Sequence, residues 1–227
     1  MLFVAGVIVL GVIVPKWLQL RRAEFIRTYR WPRGLLDRLE KHHPGFQRKD
    51  SALVSRGLRQ FFLAYLMSGK RYVSMPSQVA DDLWHEFILY TRDYDAFCRR
   101  AFGGFLHHTP AVVLSEHRRS NEGLRRVWWY CCKYENIDPV TPSRLPLLFA
   151  LDSKLKIANG FVYQPDCKAL RESGSGGTPH CGGDFSDSSF DGSSDGFGDS
   201  GSDSGGDGGG DGGGGGDGGG GGCGGGD

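Results

Sequence analysis

The chain has 227 residues, and its formal charge of +1 conceals two oppositely charged parts. Residues 1–172 carry all 27 Lys and Arg against 16 acidic residues, whereas residues 173–227 hold 27 of the 37 Gly, ten Asp and no cation. That division excludes a globule built from the whole chain; the Gly lack the period of three that collagen needs, and six Cys are too sparse for a small disulfide scaffold.

Residues 2–14, LFVAGVIVLGVIV, form an unbroken apolar run. Continued through Trp17, Leu18 and Leu20, it gives about 30 Å of helix at 1.5 Å per residue, with Lys16 able to snorkel and Trp17 suited to an interface. No basic n-region precedes the run and no A-x-A-like site follows it, so a cleaved signal peptide is not expected. The cations Lys16, Arg21, Arg22, Arg27, Arg30 and Arg33 all come after it. The expectation is a transmembrane anchor over residues 1–20, with the lipid bilayer as a partner. The body then faces the cytoplasm of a single-pass bacterial inner-membrane protein, its cysteines reduced.

Residues 23–172 read as a compact all-α domain of five or six short helices. Pro32 starts a helix carrying Leu35, Leu36 and Leu39 that stops before Pro44. Over residues 51–68, Val54, Leu58, Phe61, Phe62, Tyr65 and Leu66 fall on one helical face, and Gly69 ends it. Ser77 caps a third helix with Ala80, Leu83, Trp84, Phe87 and Ile88 inward. A fourth opens at Thr91 or Asp93, buries Tyr94, Phe97, Cys98, Ala101 and Phe102, and closes at Gly103-Gly104. Residues 120–135 make a fifth, and residues 145–155, after a Pro-punctuated loop, a short sixth. Phe161-Val162-Tyr163 is the one strand candidate.

The tail, residues 173–227, is predicted to be disordered. Asp187, Asp191, Asp195, Asp199, Asp203, Asp207 and Asp211 recur every four residues among Gly and Ser. That period fits neither a nine-residue calcium β-helix unit nor an EF-hand loop, and so little apolar surface cannot offset chain entropy. Either the tail is a solubilising extension, or its negative charge visits the basic body and shields it from anionic lipid or nucleic acid.

Chemistry-capable residues crowd one stretch, from Asp81 to His108. Asp81 lies one helical turn before His85 and can orient its imidazole. His85, Cys98 and one of His107 and His108 make three ligands suited to zinc or iron, with Asp81 and Glu86 behind them. Their spacing matches no standard zinc finger. Leu89 stands where the second His of H-E-x-x-H belongs, which excludes a metalloprotease built on that motif. The competing reading is a packed core in which Trp84 and His85 are structural and His107-His108 is an ordinary loop. Cys131-Cys132 reads as a pair of buried small hydrophobes. Cys167 and His180-Cys181 could join a metal site only if the chain after residue 164 folds back.

The order D-x-x-W-H-x-x-x-L, Y-x-x-x-C, F-G and a terminal His is met by Asp81, Trp84, His85, Leu89, Tyr94, Cys98, Gly103 and His108. It resembles the glycine-rich domain-containing protein-like family, whose biochemical function is unknown. The chain is most similar to bacterial members with an N-terminal membrane segment and a Gly-rich tail. Residues 145–152, Gly160-Phe161 and Asp166-Cys167 extend the pattern, which covers roughly residues 76–167. Family members often carry a second His two places after the first, where this chain has Phe87. The resemblance implies a fold and a bacterial source, and it carries no catalytic residues across.

No phosphate-binding loop, dinucleotide fingerprint or nucleophile elbow is present. The pairs Arg21-Arg22, Arg99-Arg100, Arg118-Arg119 and Arg125-Arg126 occur without a nucleic-acid motif, so nucleic acid is not the expected partner. The leading expectation is a membrane-anchored interaction or scaffold domain with a protein partner at the membrane, and with no catalytic residue or cofactor. The alternatives are a metal-binding protein or metal-dependent enzyme using His85, Cys98 and His107 or His108, and a tail-regulated module for RNA or anionic lipid.

Overall fold

The structure, a computed structural model, describes residues 2–108, 117–165 and 180–181, with side chains over 13–108 and 122–165. Seven helices occur among them: α1 Leu2–Thr28, α2 Leu35–His42, α3 Arg48–Met67, α4 Gln78–Leu89, α5 Thr91–Phe102, α6 His117–Tyr134 and α7 Leu147–Leu155. Strand β1, Tyr163–Gln164, pairs in parallel with β2, His180–Cys181. The backbone after residue 164 therefore does fold back. The side chains of Cys167, His180 and Cys181, and the Gly/Asp tail, lie outside the described residues.

The sequence expectation of an all-α body holds because each helix has its stop signal and its apolar stripe. Gly34, Gly69 and Gly103 adopt positive φ at helix boundaries, where only Gly escapes the Cβ penalty. The Ser77 hydroxyl accepts the Ala80 N–H at 3.3 Å and caps α4.

Helix α3 is the centre, touching α1, α2, α4, α6 and α7. Val54, Leu58, Phe61, Phe62 and Leu66 are buried along one face, and Ser51, Ser55, Gly57, Leu63 and Ala64 widen the buried surface on either side of it. At Gly57 an added Cβ would stand 2.5 Å from Leu151 Cδ1, so the missing side chain sets how closely α3 and α7 approach. Rings from α3, α4 and α5 fill the centre, with Phe61 and Trp84 at 5.0 Å and Phe62 and Phe97 at 5.0 Å between centroids.

The expected transmembrane helix over residues 1–20 is not borne out, and the bacterial inner-membrane, single-pass placement falls with it. Among the described residues no helix is long and apolar enough to cross a membrane. The apolar run ends at Val14, and thirteen residues reach only about 20 Å against a hydrocarbon core of about 30 Å. The turns needed to complete a span are instead committed to the body. Gln19 Nε2 donates to the Leu66 carbonyl at 3.3 Å and Arg22 Nη1 to the Phe102 carbonyl at 3.2 Å. Ala23 and Ile26, further along the same helix, are buried.

Two carboxylates, buried Asp152 and partly buried Glu135, fasten helix starts across the chain. Asp152 on α7 accepts from the Ser77 hydroxyl and from the N–H groups of Gln78, Val79 and Phe161 at 2.8–3.2 Å. Glu135, just beyond α6, accepts the Leu147 N–H at 2.6 Å, while Gln60 Oε1 accepts the Leu148 N–H at 3.1 Å. The first turns of α4 and α7 thus find their acceptors in distant parts of the chain.

Candidate metal centre

Helix α4 turns Val79, Ala80, Leu83, Trp84 and Phe87 into the core. That orientation leaves Asp81 and His85, four residues apart, together on an outer face. His85 Nδ1 lies 3.6 Å from Asp81 Oδ2. The third member comes from the segment after α5. His108 Nε2 lies 2.9 Å from Asp81 Oδ1, and its ring stands edge-on to Trp84 with centroids 4.5 Å apart. The two imidazole centroids are 4.2 Å apart.

One ligand atom from each of Asp81, His85 and His108 lies within 4.8 Å of the others. Side-chain exposure grades across the trio, 14% for His108, 22% for Asp81 and 53% for His85. The site is therefore anchored on the inside and open on the outside. Zinc–nitrogen and zinc–oxygen bonds of about 2.0–2.2 Å place tetrahedral ligand atoms about 3.4 Å apart, so the 2.9 Å Asp81–His108 pair must open slightly and any separation near 4.8 Å must close. His85, the most exposed, is the side chain free to make that adjustment.

The other residues singled out by the sequence lie elsewhere. Cys98 is fully buried on α5, and burial pushes its thiol pKa up. A neutral buried thiol is a poor ligand. His107 is exposed, with its ring 4.8 Å from Phe105, and it stays outside the trio. Glu86 follows His85 and is rotated about 100° around the helix, toward α2. There its carboxylate pairs with Arg38 and sits 3.5 Å from His42 Nδ1, with 7% of the side chain exposed. Beside it, Asp82 meets His43 Nε2 at 2.9 Å. Cys131 and Cys132 are buried, as small hydrophobes are; burial raises both thiols, Cys132 to about 12.

Sequence reading placed Asp81 behind the ligands, whereas the structure puts its carboxylate between the two imidazoles. It also missed Asp152 as the residue that fixes the start of α4, three residues before Asp81. An isolated acidic residue in an apolar helix, Leu147–Leu155, was the available signal.

The class that emerges is an all-α domain with a two-imidazole, one-carboxylate cluster between a helix and the segment that follows its neighbour. The chain belongs to the UCP032817-like family, whose model matches residues 21–185. The match takes in the last eight residues of α1, the whole cluster and both strands, and it stops short of most of the Asp-rich tail. No curated protein and no solved structure matches the chain.

Proposed function

We propose that this protein binds a divalent transition-metal ion through Asp81, His85 and His108. The observation that carries the reading is the convergence of one carboxylate and two imidazoles from separate elements within 4.8 Å. Two nitrogens and one oxygen suit zinc or iron(II). Three protein ligands leave at least one coordination position on the exposed His85 side for water or a substrate. A bound ion there polarises what it binds or lowers the pKa of a water. It takes precedence over the interaction-domain expectation, whose membrane anchor the fold removes.

The experiment is elemental mass spectrometry on the full-length chain purified without chelator. The Asp-rich tail is kept, so that weak binding by its carboxylates is the same in every variant. Near-stoichiometric zinc or iron in the wild type, lost in His108→Ala at an unchanged helical circular-dichroism signal, is the expected result. Equal metal content in wild type and His108→Ala overturns the proposal and leaves Asp81–His108 as a tertiary hydrogen bond.

A further inference from the structure

His108 lies in a segment without helix or strand of its own, residues 103–108 after α5. Its position must be set by side-chain contacts. The strongest of these run through Tyr94. The buried Tyr94 hydroxyl donates to the Leu106 carbonyl at 2.5 Å and accepts from the Trp84 indole Nε1 at 3.1 Å. Leu106 is two residues before His108, and Trp84 is the ring against which His108 stands. The Tyr94 ring also meets Phe105 edge-on at 5.2 Å. Cys98, on the same helix as Tyr94, is fully buried.

We infer that Tyr94 is a positioning residue for His108: its hydroxyl ties the Leu106 carbonyl to Trp84 and so sets the imidazole at the distance from Asp81 and His85 that an ion needs. The inference rests on the metal-binding reading. Both partners of the hydroxyl are buried, so its removal leaves a carbonyl and an indole N–H without the bonds they make here. The segment is then free to shift, and His108 loses its fixed place beside Asp81 and Trp84. Residues that orient metal ligands in this way typically change metal affinity 10–100-fold when removed.

The test is a cobalt(II) titration of the full-length protein, read by the visible d–d absorption of the bound ion, for wild type, Tyr94→Phe and Tyr65→Phe. Tyr65 is a half-buried tyrosine that packs on Phe102 in the same core and serves as the control. The expected result is a Kd for cobalt raised about 10–100-fold in Tyr94→Phe, with an altered d–d spectrum, and neither change in Tyr65→Phe. If Tyr94→Phe does not fold, Trp84→Phe replaces it, since that variant keeps a ring beside His108 while removing the indole donor together with part of the ring volume. An unchanged Kd and spectrum in a variant whose wild type binds cobalt overturns the positioning role alone. The same loss in Tyr65→Phe also overturns it, by showing a general effect of stability. A wild type that develops no d–d band overturns the metal reading and this inference together.

Discussion

Asp152 is 2% exposed, and its two oxygens accept from the Ser77 hydroxyl and three backbone N–H groups. A buried carboxylate is tolerable only when its desolvation is offset in this way. Replacing it with Ala orphans several donors at the start of α4, and the expected loss is about 3 kcal/mol in urea unfolding. Asp152→Asn, which keeps one acceptor oxygen, should lose less. Glu135 makes a second case. Burial pushes its pKa up, but the Leu147 N–H, Arg144 and Gln60 outweigh burial and hold it below the usual 4.5. A carboxyl depressed in the folded state stabilises the protein above its unfolded pKa, and that stability is lost as pH falls through the folded value. Unfolding free energy should therefore drop as pH falls below about 4.5. In Glu135→Gln the drop over that window should be shallower, as measured by denaturant melts from pH 6 to pH 3.

Helix α6 is pressed against the segment before α4. A Cβ on Gly123 would stand 2.4 Å from Ser74 Oγ and 2.8 Å from the Ser74 backbone nitrogen. Three residues on, the buried Arg126 donates to the Tyr72 carbonyl. A backbone atom cannot swing aside as a side-chain tip can. Gly123→Ala should destabilise despite the roughly 1 kcal/mol that Ala gains over Gly in a helix, because overpacking costs about 1–3 kcal/mol. A higher thermal midpoint in this variant would show that the segment around Ser74 yields. Helix α1 belongs to the body by the same standard. Phe25 meets Phe97 at 5.8 Å, and Tyr29 meets Phe97 at 4.7 Å just past the helix end. Deleting residues 1–28 should abolish cooperative unfolding by circular dichroism. Deleting residues 1–12 should leave it cooperative, since the contacts from Gln19 onward remain.

At the level of the whole molecule, an ion that binds only the folded chain stabilises it by mass action. Zinc at a free concentration of 100 times its Kd should add about 2.7 kcal/mol to the unfolding free energy. The increment should vanish in His108→Ala and in Asp81→Asn, checked by urea titration at fixed free zinc.

Much of the helical body was legible from one dimension. The stripes around Phe61, Trp84 and Phe97, with Gly69 and Gly103 as stops, predict α3, α4 and α5 to within a few residues, because periodicity and capping are local properties. The start of α4 at Ser77 is local too. The apolar run over residues 2–14 misled, since length and hydropathy at a terminus say nothing about where the next two turns dock. The candidate site was half legible. Asp81 and His85 are a helical turn apart and could be paired by counting. His108 could be chosen over His107 only by knowing which of two adjacent side chains points toward Trp84.

The sequence by itself determined the division into a basic helical body and an acidic Gly-rich tail, the order of the helices and which face of each is apolar. These follow from composition and from the 3.6-residue period, which act over neighbouring residues. Tertiary structure alone decided that Glu86 faces Arg38 and that His108 meets Asp81. Those outcomes depend on residues 27 and 48 positions apart, and on the direction a segment takes after its helix ends. That direction is set by buried hydrogen bonds between distant side chains, which no local pattern records.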